Sequence, residues 1–346
     1  MINDRKATTV VRTLLILSVF IPLIVRATST EDDTRDNVAL KPSHLTHLMW
    51  RNIGPAFISG RIADIEAVES DPDIVYVATS VGGLWKSTDR GSTLKPIFDS
   101  GGTASLGSVA IAPSNPNLLW LGSGETWNWR SVSWGDGVYK SEDGGKTWEH
   151  KGLAETRHIG QILIHPEDVD TVYVAGGGAL WGSNEERGVF KTTDGGENWK
   201  KVLYVSPQTG VVDLAMDPRD PEWLYAAAFQ RERRVWSFLG GGPESGVYRS
   251  RDGGESWNQL ANGLPKGDMG KIGLSVCRSR PDRVYAAVTA SEHEGGLYRS
   301  DDRGASWERV SDNSSSKVRC DPNDADRVYL LSDGDSVSED GGKTFT

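Results

Sequence analysis

Cysteine is almost missing from the chain: Cys277 and Cys320 are the two in 346 residues, which excludes a disulfide scaffold and argues against a cysteine-built zinc site. Basic charge is short as well. Lys and Arg number 38 against 48 Asp and Glu, a formal net charge of -10. The electrostatic footprint of a general DNA or RNA binder is therefore absent, and nucleic acid is not an expected partner. Helical apolar periodicity is lacking beyond the first thirty residues. Glycine and tryptophan, by contrast, are plentiful at 40 and 13, the glycine share standing well above the roughly 7% of an ordinary chain. That mixture predicts short strands joined by tight turns, and stability drawn from packing.

The apolar run Leu14 to Val25 is interrupted only by Ser18 and Pro22, follows Arg5, Lys6 and Arg12, and precedes Ala27, Thr28 and Ser29. It is shorter than the about 20 residues of a comfortable membrane span, and its flanks read as a secretory signal over 1–27. The protein is expected to be secreted, periplasmic or on the cell surface. An uncleaved anchor is the alternative, and the one route to a membrane. Residues 28–47 are polar and acidic and read as a flexible linker; His44 and His47 within them lack a third ligand, so no metal is expected.

One pattern recurs six times across 48–346: Ser or Thr, any residue, Asp, Gly or Arg, Gly, then two residues and usually Trp. Its aspartates are Asp89, Asp143, Asp194, Asp252, Asp302 and Asp340, and its closing residues Leu94, Trp148, Trp199, Trp257, Trp307 and Phe345. Asp followed by Gly is hairpin chemistry, because the carboxylate accepts backbone N–H bonds within the turn and Gly takes the positive φ. Upstream of each turn a Pro-containing loop leads into a β-rich run, as at Asp71-Pro72, His165-Pro166 and Asp217-Pro218. Each unit of about 50 residues thus holds four short strands, for example Ile159 to Ile164, Thr171 to Val174, Gly188 to Lys191 and Trp199 to Leu203. Such units are propeller blades. The predicted fold is all-β, a β-propeller of about six blades with Asp-box turns, or part of a larger propeller. Met49 to Gly54 resembles a fourth strand without its first three, suited to completing the last blade.

These residues resemble the Asp-box, or BNR, repeats of sialidase-like, xyloglucanase-like and sortilin-type propellers. Trp50-Arg51-Asn52-Ile53-Gly54-Pro55 and Gly188-Val189-Phe190-Lys191-Thr192-Thr193-Asp194-Gly195-Gly196 are similar to the secreted bacterial sortilin-type BNR proteins. The resemblance implies the scaffold. Xyloglucanases of this kind place a catalytic Asp just before a hydrophobic-Gly-Gly stretch in the first blade and a second carboxylate in a second propeller. Here Ser80 precedes Val81-Gly82-Gly83, and no second propeller is read from the chain, which counts against that particular hydrolysis. The six box aspartates are read as structural.

Turns between third and fourth strands lie on one face, so second-to-third loops and the loops into inner strands share the other, and length variation there marks function. Blade two carries Glu125, Trp127, Asn128, Trp129, Arg130, Trp134 and Asp136. Blade three carries Trp181, Asn184, Glu185, Glu186 and Arg187, and blade four Arg231, Glu232, Arg233, Arg234 and Trp236. Arg61, Arg157, His158, Asp213 and Lys271 stand near the channel mouth. Trp stacks on sugar rings or peptide side chains and Arg clamps carboxylates. The expected function is binding of a glycan or an extended peptide on this rim, with polysaccharide or an extracellular peptide or protein as partner and no cofactor. The alternative is a xyloglucanase-like glycoside hydrolase using two rim carboxylates, which must stand about 5 to 10 Å apart. Cys277 and Cys320 fall at similar points of adjacent blades, but their offsets from Tyr285 and Tyr329 differ by one residue, enough to reverse facing in a strand. That offset counts against a bridge.

Overall fold

The computed structural model describes residues 41, 43, 61–127, 132–291, 293–313, 315–331 and 334–346. The signal, the linker and the Met49–Gly54 strand lie outside them, except Lys41 and Ser43. Six antiparallel sheets follow one another along the chain, as the repeat requires. Blade three shows the plan: Ile159–Ile164, Val172–Gly176, Gly188–Thr192 and Lys200–Leu203 pair in sequence order, within a residue or two of the predicted strands. Blade four adds a fifth strand, Phe238–Gly240, paired with the long extension of Leu224–Arg233. Blade six has three strands among the described residues: Val318–Cys320, Val328–Leu330 and Ser336–Ser338.

The Asp boxes hold themselves together. In blade one the Ser87 hydroxyl donates to Asp89 Oδ1 at 2.7 Å and accepts from the Gly91 N–H at 2.8 Å, while Thr93 gives its N–H and its hydroxyl to the two carboxylate oxygens. The same bonds recur around Asp143, Asp194, Asp252, Asp302 and Asp340. These donors hold the Asp143, Asp194 and Asp252 carboxyls down at about 2. The second glycine has a further reason: a Cβ at Gly196 would stand 2.5 Å from the Trp120 ring of the preceding blade. The closing Trp folds back on its turn, as at Trp257, whose Nε1 donates to the Gly254 carbonyl at 3.0 Å.

Three of the turns also latch the previous blade. Tyr76, Tyr173 and Tyr225 donate their hydroxyls to Gly144, Gly253 and Arg303 carbonyls one blade on, and Lys86, Lys191 and Arg249 donate to the same oxygens. Inner strands are tied similarly. Asp64 accepts from the Val109 N–H at 3.2 Å, Ser108 from Ile162 at 3.2 Å, and Asp213 from Leu274 at 2.9 Å. Lys317 of blade six repeats the device across the closure, donating to the Ala63 carbonyl of blade one at 3.1 Å. The strands thus form a ring.

The core is a set of interblade layers. Five apolar clusters of described residues fill the seams one–two, two–three, three–four, four–five and five–six. None of the five spans blades six and one. Cys277 and Cys320 are bonded, with Cα atoms 5.4 Å apart, which corrects the expectation from their offsets. Cys277 lies one residue past the inner strand Met269–Val276, in the turn where its N–H meets the Arg283 carbonyl. Strand alternation no longer sets its direction there, and the bond staples the three-stranded blade to blade five.

Candidate functional site

Antiparallel order puts the Asp boxes and the Pro-containing turns on one face, where they touch: Gly144, Gly195 and Gly253 each donate an N–H to the Pro-loop carbonyl of Asn117, Asp170 or Glu222. The second-to-third loops and the entries to inner strands fall on the opposite face, as predicted. Two concavities lie there. One, of about 550 Å³, sits at the seam of blades six and one and is lined by Arg61, Asp64, Ile65, Trp127, Lys317 and Arg319, with Ile62, Ala63, Leu331 and Asp335. The other, of about 470 Å³, lies under the blade-four hairpin between Trp181 and the run Arg233 to Phe238.

At the seam pocket the blade-two loop is pinned by backbone bonds, Gly124 donating to Ser105 and accepting from Ile159. That fixes Glu125, fully buried, in a two-point ion pair with Arg61, whose Nη2 stands 2.5 Å and Nε 3.3 Å from its oxygens. Trp127 follows, its ring 4.0 Å from the Lys271 ammonium. Burial, with Lys317 beside it, pushes Lys271 down to about 7. On the inner strand Ile62–Val68, Asp64 collects N–H and hydroxyl donors from Ile65, Val109 and Ser108, with the Lys317 ammonium 3.9 Å away. Two residues on, Glu66 is half-buried, and desolvation together with the Asp64 charge pushes it up to about 8.

The other sequence-predicted residues divide. Arg187, fully buried, donates to Asn184 Oδ1 and to the carbonyls of Gly177, Ala179, Gly182 and Gln208, so it nails the blade-three loop down. Arg231, also fully buried, reaches the carbonyls of Thr126, Trp127 and Gly178 and joins the loops of blades two to four. His158 is buried and held well below its ordinary value, first by desolvation and then by Arg231, which keeps it neutral. Asn184 is spent on Ala179, Arg187 and Glu155, and Glu185 accepts from the Tyr204 hydroxyl. Trp134 is exposed with Arg157 over its ring, Arg157 pairing with Glu155. Trp181 and Trp236 are exposed, Arg233 stacks on Phe238, and Arg234 pairs with Glu232. Asn128, Trp129 and Arg130 lie outside the described residues. Ser80 is fully buried and offers no acid to the first blade.

Sequence reasoning singled out Lys271 but missed Asp64, Glu66, Lys317 and Arg319. A signal was present: Asp64 and Glu66 occupy one face of an inner strand whose counterparts in blade two are Ser108 and Ala110. Among the described residues no group of three or more His, Cys, Asp or Glu is placed to hold a metal ion.

Residues 136–294 match the Sortilin-Vps10 family (sortilin, neurotensin receptor 3), and 297–310 match the BNR-Asp box repeat. The chain is 24% identical to a xyloglucanase of a Paenibacillus species over 65% of its length and 23% of that protein. It is 25% identical to a xyloglucanase of Acetivibrio thermocellus over 63% of its length and 27% of the relative's. With the oligoxyloglucan-reducing end-specific xyloglucanase of Emericella nidulans the identity is 26%, covering 60% of this chain and 25% of the other. The chain thus spans about a quarter of the length of these relatives. Among solved structures, an ancestral GH74 enzyme superposes with a TM-score of 0.57 at 20% identity, covering 83% of this chain and 39% of that one. The GH74 xyloglucanase of Xanthomonas campestris gives 0.55 at 14%, covering 82% and 52%. Repeat, ring and relatives agree: the chain is a β-propeller built on Asp-box (BNR) repeats, similar over 136–294 to the Sortilin-Vps10 family and, in its sequence, to the xyloglucanases.

Proposed function

We propose that the protein acts on an extracellular polysaccharide as a glycoside hydrolase, holding the glycan chain at the seam pocket between blades six and one. The observation that carries this reading is the Asp64–Glu66 pair beside that pocket. Glu66 keeps its proton near neutrality, as a general acid must, whereas Asp64 sits among hydrogen-bond donors and a nearby ammonium. A carboxyl kept protonated by its surroundings serves as the acid beside a second carboxylate that acts as base or nucleophile. Alternate positions on a strand are about 6.6 Å apart, within the roughly 5 to 10 Å that such pairs span. In this assignment Glu66 protonates the leaving glycosidic oxygen and Asp64 stabilises or attacks the opposite side of the sugar. The xyloglucanase relatives supply the substrate class, and the Cys277–Cys320 bond suits an exported protein.

A second reading, glycan binding without cleavage, is favoured by Ser80 where the xyloglucanases carry their first-blade acid, and by the aromatic hairpin at Trp236. Both are tested by incubating the full chain with a panel of polysaccharides and measuring retention and released reducing ends. Release that disappears in Glu66→Gln and Asp64→Asn, with retention kept, supports hydrolysis. Retention without release in the unaltered protein replaces it with the binding reading, and neither retention nor release rejects both.

A further inference from the structure

Lys271 is 7% exposed, and its ammonium has no hydrogen-bond or ion-pair partner among the described residues; its contact is the face of Trp127. A three-donor cation so deeply placed without an acceptor is costly. The neighbouring carboxylates are already engaged: Glu125 by Arg61, Asp213 by the N–H groups of Leu214 and Leu274, Asp64 by Ser108, Val109 and Ile65. Arg231 behind them meets only carbonyls. Arg319, on the pocket wall, donates to the Val318 carbonyl and has no acid within ion-pair distance among the described residues. In a chain of net charge -10, Lys271, Arg231 and Arg319 stand at this seam without an ion-pair partner among the described residues, Lys317 is shared with Asp64, and Asp335 is the other acid on the pocket wall.

We propose that the seam pocket takes a carboxylate-bearing sugar, a uronate unit of an acidic polysaccharide, its carboxylate facing Lys317 and Arg319 and its ring laid on Trp127. Lys271, held against the same ring, adds to the positive potential. The inference rests on the polysaccharide reading above and narrows its substrate class. A pocket of about 550 Å³ has room for more than one sugar ring, and aromatic faces with few fixed charges are how such sites orient ligands.

The binding is linked to protons. The groups facing Lys271 are Lys317 from blade six, Asp213 and Arg231 from blade four and Glu125 from blade two. An anion in the pocket favours the charged ammonium, so uptake of a proton accompanies binding and affinity falls as the pH rises through about 7. A rise of one unit in Lys271 on binding makes that fall about tenfold. Ionisation of Glu66 works in the same direction, so a variant, and not the pH profile alone, assigns the effect to Lys271.

Isothermal titration of the full chain with oligogalacturonate, its methyl ester and a xyloglucan oligosaccharide tests the proposal. The acid is expected to bind at least tenfold more tightly than the ester, and Arg319→Gln to remove most of that preference. Lys271→Met is expected to flatten the affinity between pH 6 and 8. Equal affinity for acid and ester, or binding of xyloglucan alone, overturns the inference and leaves the polysaccharide reading standing. Displacement of the acid by an equal concentration of inorganic sulfate also overturns it, since charge without the ring would then hold the ligand. Failure to bind any of the three glycans overturns both readings.

Discussion

Among the described residues, five seams of this propeller hold an apolar cluster and the seam of blades six and one does not. Between blades two and three, Trp120 is enclosed by Ile162, Val172 and Trp199, with Lys140 over its ring. Between blades six and one, Ile62 and Ile65 are exposed, and Lys317 makes polar contacts, donating to the Ala63 carbonyl and standing 3.9 Å from Asp64; Arg278 of blade five reaches Glu69 of blade one nearby. Repetition explains the first kind of seam, since each blade repeats the apolar positions its neighbour needs. The second kind joins the two ends of the repeat, where that reciprocity is broken. The pocket, Glu66 and Asp64 all lie there, so the candidate chemistry sits where repetition stops providing a core.

The largest test of this contrast is Trp120→Ala. The ring is fully buried, and its loss is expected to cost about 3–5 kcal/mol, read as a lower urea midpoint. Ile65→Ala across the polar seam is expected to stay within about 0.5 kcal/mol, as surface changes do. Equal costs would break the distinction between the seams.

Next comes the disulfide. Among the described residues blade six shares one apolar cluster, with blade five, and Cys277 and Cys320 close a loop with a sequence separation of 43. Removing that closure restores about 4 kcal/mol of unfolded-chain entropy. The double variant Cys277→Ser with Cys320→Ser is therefore expected to lose about that much, and hydrogen exchange should show blade six opening before the rest. Uniform exchange across all six blades would mean that the blade-five contacts alone hold it.

Sequence conveyed the repeated part of the molecule far better than the seam. The six Asp boxes were legible because turn chemistry is local: Ser87, Asp89 and Gly91 satisfy one another within five residues. Their face and that of the long loops followed from strand alternation alone. Arg187 and Arg231 were legible as loop arginines but not as buried ones, because a guanidinium folded under carbonyls carries the same sequence as one in solvent. Asp64 and Glu66 escaped because Ile62-Ala63-Asp64-Ile65-Glu66 alternates like any half-exposed strand; what raises Glu66 is burial in the folded ring, with the Asp64 charge beside it, against the opposing pull of Arg319 and Lys317 from about 250 residues away. The cysteine offsets misled because Cys277 lies beyond its strand.

A smaller effect separates the seam by pH. Glu66 is raised from its ordinary 4.5 to about 8, so between those values the folded protein holds a proton that the unfolded chain has released. Stability contributed by this group is present below about pH 4.5 and is lost as the pH rises towards 8. Box aspartates such as Asp252, lowered to about 2, act oppositely: their contribution is present above the ordinary carboxyl value and lost as the pH falls towards 2. Glu66→Gln is therefore expected to remove a decline in stability between pH 4.5 and 8 while leaving acid unfolding unchanged. A parallel pair of stability curves would show that the seam does not desolvate Glu66.

The smallest expected effect concerns Arg278 and Glu69, both exposed, which pair across 209 residues. Solvent screens such a pair and side-chain entropy opposes it, so Arg278→Ala is expected to cost less than about 1 kcal/mol, and still less at high salt. Lys317 differs, being mostly buried and donating to a main-chain carbonyl that its loss would leave without that donor. If Arg278→Ala proved as damaging as Lys317→Met, the closure would depend on its rim, and the inner-strand tie that Lys317 shares with Asp64, Ser108 and Asp213 would not be what shuts the ring.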